Sequence, residues 1–254
     1  MQLFYAPGFV GDFYTLTEEE SAHCVKVLRA RKGDILTLTD GCGTKIVAEV
    51  VESDRKCTSV RVLERVADAA PLGYRLVVAC APTKNIDRFE WFVEKAVEVG
   101  VSAIVPIACQ NSERRAVKQE RLTKIAVSAM KQSLKYSLPV VEPMCDFADF
   151  IKRDFAAAGG GVGCGGYVAA PQLFIAHCDP CEDKRLLRDM IVRGGNVAIA
   201  IGPEGDFSPE EVAMARDAGF GSVSLGESRL RTETAALAAV MTVSLLNQGS
   251  GGQG

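Results

Sequence analysis

The sequence predicts an α/β protein in two parts: a β-rich N-terminal module over residues 1–70 that fits a small barrel, and a parallel sheet covered by helices over residues 71–254. Three observations carry this. Apolar and polar residues alternate in Ile35–Thr39, Thr44–Val51 and Thr58–Val66, the period-two pattern of half-buried strands. Beyond Tyr74, short apolar runs alternate with stretches of helical period, which argues for a parallel sheet with helices on both faces. Within Asn196–Val240, two strands in succession end in glycine-bearing loops that lead into helices. Ligands of open α/β sheets bind outside the carboxyl ends of strands, where backbone N–H groups point outward.

Each element has a local reason. Thr17 and Glu20 make a capping box for a helix reaching about Ala30, Gly33-Asp34 turns the chain, and Asp40-Gly41 is the hairpin turn between the first two strands. Ala67–Gly73 (ADAAPLG) reads as a linker. Arg75–Ala81 is an apolar strand, Asp87–Val99 a helix stopped by Gly100, and Ser102–Ile107 the next strand. A helix from Lys118 to Lys135, the extended pair Val140-Val141, a helix near Phe147–Ala157 and the strand Gln172–Ala176 follow. A further helix spans Asp183–Val192 and ends at Gly194-Gly195. The strand Val197–Ile201 stops at Gly202-Pro203-Glu204-Gly205, and Ser208 with Glu211 caps the next helix, whose first position suits Pro209. The strand Ser222–Leu225 stops at Gly226. The last helix, Thr232–Asn247, is apolar on nearly every face, more than one sheet face needs, and predicts a self-association surface.

Composition narrows the function classes. A chain of 254 residues, 48% hydrophobic, can bury sizeable cores. No apolar run approaches the ~20 residues that span a bilayer, and MQLFYAPGF lacks a basic region ahead of an apolar stretch. The expectation is a cytoplasmic protein, its nine scattered cysteines reduced and buried. A net charge of −3 taken alone argues against nucleic acid, but its distribution argues for it. Lys26, Arg29, Arg31 and Lys32 form one basic cluster; Arg114, Arg115, Lys118, Arg121, Lys124, Lys131 and Lys135 form a second. At helical spacing Lys124, Lys131 and Lys135 fall on one face, and phosphate contact is the expected role.

Some motifs lead nowhere. Gly159–Gly166 (GGGVGCGG) holds a literal G-x-G-x-x-G, but it follows a helix and precedes no helix, so a surface loop is expected rather than a dinucleotide site. No P-loop pattern exists. His177-Cys178 and Cys181 lack the second ligand pair of a closed zinc site, so no metal is expected. Two histidines give hydrolytic triad chemistry little material.

GPEGDFS (Gly202–Ser208) followed by LGESRLRTETA (Leu225–Ala235) resembles the paired signature of the RsmE family. These are SPOUT-superfamily methyltransferases that modify N3 of a uridine in small-subunit (16S) ribosomal RNA. The resemblance extends over HCVKVLRARKGD (His23–Asp34), KNIDRFEWFVEKAVEVGVSAIVP (Lys84–Pro106) and the Gln132-Ser133 helix. It implies a PUA-like β-barrel for RNA binding at 1–70, a trefoil-knotted SPOUT domain at 71–254, a homodimer, and an assembled 30S subunit or its RNA as partner. Asp206 stands where the family usually has Gly, and Lys131–Lys135 departs from its usual Glu-Gln and following Arg.

The resemblance implies S-adenosylmethionine as methyl donor, and the residues suit it. Such a ligand needs apolar walls, close backbone and a carboxylate. Ala176, His177, Cys178, Ile201, Leu225 and Leu230 are expected as walls, Gly202, Gly205 and Gly226 let backbone approach, and Glu204 or Glu233 supplies charge. Arg231 is the expected transition-state cation, with Glu233 as base or as the group orienting Arg231, and Glu204 second. His23, Lys26, Arg29, Arg31, Lys32, Arg114, Lys131 and Lys135 are expected on RNA. The alternatives are a SPOUT enzyme acting on a ribose hydroxyl or a transfer RNA, and a non-catalytic RNA-binding protein.

Overall fold

The computed structural model describes residues 2–67, 72–155, 170–178 and 184–248, and the chain divides into two compact units. The first comprises Met1–Pro71 with Val127–Leu138, the second Leu72–Ala126 with Pro139–Gly254. Gly159–Gly166, Cys181 and most of the Ala67–Gly73 segment lie outside the described residues.

In the first unit, β1 (Leu3–Tyr5), β2 (Phe13–Thr15), α1 (Glu18–Lys26), β3 (Ile35–Thr39), β4 (Lys45–Glu52) and β5 (Ser59–Val66) follow in order. They form a curled sheet of order β1-β3-β4-β5-β2, antiparallel except for the parallel β1–β3 pair. The expected barrel is thus a half-barrel with β1 and β2 as its edges. Phe4, Leu36, Leu38, Ile46, Ala48, Val50 and Val60 alternate inward and form its core with Leu16 and Cys24. Thr17 caps α1 by accepting from the Glu20 N–H at 3.3 Å. The helix stops at Lys26 rather than Ala30, because Arg29 takes φ +55 and the Ala30 N–H folds back to the Cys24 carbonyl. The β3–β4 connection is a five-residue loop rather than a two-residue turn. Asp40 Oδ1 accepts from Cys42 and Thr44 N–H, and Gly41 and Gly43 both take positive φ.

The second unit runs β6 (Leu76–Cys80), α2 (Ile86–Val99), β7 (Ala103–Ala108), α3 (Gln119–Gln132, its last residues in the first unit), β8 (Val140–Val141), β9 (Cys145–Asp146) and α4 (Phe147–Ile151). Then come β10 (Gln172–Ala176), β11 (Arg185–Leu186), α5 (Leu187–Met190), β12 (Val197–Ile201), α6 (Pro209–Asp217), β13 (Gly221–Ser224) and α7 (Thr232–Asn247). The strands form a parallel sheet of order β11-β13-β10-β12-β6-β7-β8, with β9 paired to β7. Its central strands are buried on both faces, and for that reason β6 (LVVAC) and β12 (VAIAI) read as continuous apolar runs. One face carries Phe147, Phe150, Phe207 and Phe220.

Besides α1, three helices are shorter than expected. Asp183–Val192 is not one helix: Arg185–Leu186 pairs with Val223–Ser224 as an edge strand, leaving a single turn at Leu187–Met190. The helix after Asp146 ends at Ile151. α3 ends at Gln132, where Leu134 takes φ +55 and the Lys135 N–H returns to the Met130 carbonyl, so Lys135 does not share the helical face of Lys124 and Lys131. Among the described residues no helix is long and apolar enough to cross a membrane.

Candidate active site

Strand register brings five loop origins level at the carboxyl edge of the sheet. Ala176 pairs with both Ile201 and Val223, Ile201 with Cys80, and Cys80 with Pro106. The segments that follow are His177-Cys178, Leu225–Leu230, Gly202–Phe207, Ala81–Asn85 and Cys109–Ser112. Side chains fasten them to one another. Glu211, the N3 residue of the α6 capping box, accepts from Ser208 N–H at 2.9 Å with one oxygen and from Gln110 N–H at 2.8 Å with the other. Asn111 donates to the carbonyls of Gly205 and Asp206, both at 3.1 Å, and Glu204 Oε1 accepts from Lys84 N–H at 3.0 Å.

A cavity of about 540 Å³ opens beside the ends of β10 and β13. It is lined by Ala176, His177, Cys178, Lys184, Val223–Leu230 and Ala235. Ala176, Val223, Leu225, Leu230 and Ala235 are its apolar wall; Lys184, Glu227 and Arg229 bring charge. His177 is held by its Nε2 at 3.0 Å from Ser222 Oγ, and its carbonyl accepts from Lys184 Nζ at 2.7 Å. Gly226 sits at φ +139 with nothing within 4 Å of where a Cβ would stand, so backbone conformation rather than crowding requires glycine there. Six expected donor residues, Ala176, His177, Cys178, Leu225, Gly226 and Leu230, meet in this cavity. Ile201, Gly202 and Gly205 do not line it. Gly202 is pressed against Phe207, whose ring a Cβ would meet at 3.0 Å, and Gly205 against Asn111, also at 3.0 Å.

Of the catalytic candidates, Arg231 is the exposed N-cap residue of α7, one position past the cavity wall at Leu230. Among the described residues its guanidinium has no hydrogen-bond or ion-pair partner. Glu233 is buried, and its ion-pair partner is Arg88 of α2, with Nε 3.9 Å from Oε1, rather than Arg231. Its Oε2 is buried with no hydrogen-bond partner. Glu204 is exposed. Burial pushes the Cys80 thiol well above its ordinary range, and Cys109, Glu233 and Glu204 add to the shift. Cys80 and the similarly raised, buried Cys109 are therefore protonated, inert thiols. Cys42, Cys57 and Cys178 are exposed, so burial does not hold for all the cysteines.

The basic candidates divide. Lys26, Arg29, Arg31 and Lys32 are exposed, and among the described residues their side chains have no hydrogen-bond or ion-pair partner. His23 is hydrogen-bonded to the Gln2 side chain and meets the Phe4 ring edge-on. Lys131 is bonded to the buried Glu20. Arg114 donates to the carbonyls of Thr83 and Lys84 at 3.1 and 2.7 Å. Lys135 is half-buried, and loss of hydration lowers its ammonium pKa.

Glu227, Ser228 and Arg229 fall within the Leu225–Leu230 loop expected at the donor, whereas sequence reasoning missed Lys184, Val223, Ser224 and Ala235 as cavity residues. Ala235 carried a signal, since it lies one helical turn beyond Arg231 and so on the same side. Lys184 carried none, because the strand pairing that places it joins residues distant in sequence.

Residues 70–244 match the RNA methyltransferase domain family and residues 16–61 the RNA methyltransferase PUA domain family. The chain is 28% identical over 234 residues to the ribosomal RNA small subunit methyltransferase E of Rickettsia conorii, covering 91% of this chain and 89% of that one. A crystal structure of a probable rRNA-methyltransferase from Porphyromonas gingivalis is 42% identical, covers 97% of this chain and 98% of its own, and superposes with a TM-score of 0.86. The ribosomal RNA small subunit methyltransferase E of Neisseria gonorrhoeae, bound to S-adenosyl methionine, is 26% identical over 97% and 98% of the two chains, with a TM-score of 0.80.

Proposed function

The chain belongs to the RsmE family of RNA methyltransferases, and from that premise we propose that it transfers a methyl group from S-adenosylmethionine to N3 of a uridine in small-subunit ribosomal RNA. The observation that carries this reading is the cavity at the ends of β10 and β13, with the exposed Arg231 at its border. Its volume falls within the roughly 300–1,000 Å³ of ligand pockets, and its apolar wall, open Gly226 backbone and few charged side chains suit an adenosine joined to a charged amino acid. When bound, S-adenosylmethionine supplies an electrophilic methyl carbon on a sulfonium.

The chain's residues supply the rest. Uridine N3–H is weakly acidic, and losing its proton places negative charge on the flanking carbonyl oxygens. The planar fork of Arg231 can donate to two such acceptors, stabilising charge that grows toward the transition state. A general base has to reach the proton, which favours the exposed Glu204 over Glu233, whose carboxylate is turned toward Arg88. Holding the methyl carbon and N3 together contributes proximity, and the target base is unstacked beforehand.

In this reading residues 1–70 bind RNA and 71–254 carry the chemistry, in the cytoplasm where ribosomal subunits are made. In this reading the phosphates are met by Lys26, Arg29, Arg31 and Lys32, which are exposed. The exposed Met241 and Leu245 of α7 support a two-fold homodimer; light scattering should report twice the chain mass, and a monomer at micromolar concentration would remove it. The deciding experiment is nucleoside analysis by mass spectrometry of ribosomal RNA from cells lacking the protein. Loss of 3-methyluridine from the small subunit is expected. Retention of it beside loss of a ribose methyl or a transfer RNA modification would overturn the proposal.

A further inference from the structure

We infer that Asp206, which lies outside the cavity lining, is a positioning residue that sets the cavity's Cys178 wall; this rests on the reading of that cavity as the methyl-donor site. Asp206 takes φ +62, a backbone region that glycine fills freely and other residues rarely adopt. Its side chain offsets that cost locally. One carboxylate oxygen accepts from Phe207 N–H at 2.9 Å and the other from Cys178 N–H at 2.8 Å. Its own N–H closes a turn on the Pro203 carbonyl at 2.9 Å, and its carbonyl accepts from Asn111 Nδ2.

One residue thus joins loops from three strands. The Asn111 side chain comes from the loop after β7, Asp206 from that after β12, and Cys178 from that after β10, where it lines the cavity. Hydrogen bonds to a carboxylate are stronger than neutral ones. Without the carboxylate the Cys178 N–H would turn to water or to a bound ligand, and the His177-Cys178 wall would lose one of its fixed points. Glycine at 206 would relieve the backbone strain and keep the turn, but could not reach Cys178. The clamp is therefore separable from the fold.

The test compares the full-length chain with Asp206→Gly and Asp206→Asn. It uses calorimetry with S-adenosylmethionine, steady-state kinetics with RNA, thermal melting, and amide hydrogen exchange at Cys178. Asp206→Gly should bind the donor about tenfold more weakly, the effect of losing one charge-assisted hydrogen bond. Its Cys178 amide should exchange faster, while melting temperature, kcat at saturating donor and KM for RNA stay near those of the parent. Asp206→Asn keeps a carbonyl oxygen for Cys178 N–H and should recover most of the affinity. Unchanged donor affinity in Asp206→Gly beside tight binding by the parent overturns the inference alone. So does a Gly variant whose melting temperature and donor affinity fall while its RNA KM rises, which marks a structural residue. A parent chain that binds no donor overturns the donor-site reading and this inference with it.

Discussion

At the scale of single residues, Arg231 is the position where binding and chemistry separate. Its side chain is exposed and, among the described residues, unpaired, so truncating it should leave the fold and the apolar donor wall intact. An interaction made mainly in the transition state shows in turnover and hardly in ground-state affinity. Arg231→Ala should slow methyl transfer by on the order of a hundredfold, as removal of one preorganised oxyanion donor does, with donor and RNA affinities within a few-fold. Arg231→Lys should rescue little, since a point charge does not reproduce the fork. Single-turnover kinetics decide it: transfer at the parent rate by the Ala variant would make Arg231 structural. Gly202, by contrast, is a poor probe of the donor site. Any side chain there meets Phe207 in the sheet core, so loss of binding would report on packing. Both residues stand out in the sequence, yet glycine spacing does not tell a cavity rim from a packing contact. Only Gly226 of the three expected donor glycines lines the cavity.

Element by element, strands and caps were legible where local chemistry decides them. Ile35–Thr39, Gln172–Ala176, Val197–Ile201 and the last helix lie where alternation and apolar runs place them. Elements decided by distant pairing were not legible: β11 looks helical in isolation and becomes a strand because β13 offers it an edge. The end of α3 shows the same lesson in charge. Lys131 reads as one of a basic row, but it is spent on Glu20, whose carboxylate is buried with its second oxygen lacking a partner. Removing the lysine leaves a buried charge uncompensated. Fully buried pairs lose 3–5 kcal/mol in that way, and because Lys131 is about a quarter exposed a loss of about 1–3 kcal/mol is expected for Lys131→Ala. Adding Glu20→Gln should return part of it. Denaturant titration of the three variants checks this. An unchanged midpoint for Lys131→Ala together with weakened RNA binding would return Lys131 to the phosphate surface.

Over the whole molecule, the question is how a chain of net charge −3 holds a polyanion. Screening decides in favour of local charge: at physiological ionic strength the Debye length is about 8 Å, so carboxylates elsewhere on the chain scarcely oppose a phosphate docked on Lys26, Arg29, Arg31 and Lys32. These four run from the last residue of α1 into the connection before β3, where Arg29 takes φ +55 and the neighbouring Val27 and Leu28 are also exposed. Arg114 and Lys131 are committed to partners within the protein. If the first cluster carries the phosphate contacts, RNA affinity should fall steeply with salt, and neutralising Arg29 and Arg31 together should flatten the log–log slope by about 1.4 to 1.8, the release of counterions from two phosphates. Neutralising Arg114 should leave that slope nearly unchanged, and donor affinity should not respond to either change. Titrating RNA binding between low and moderate salt in the parent and both variants measures this directly. A slope that survives loss of Arg29 and Arg31 but falls with Arg114 would move the RNA track onto the methyltransferase unit and leave the α1–β3 cluster as solvated surface.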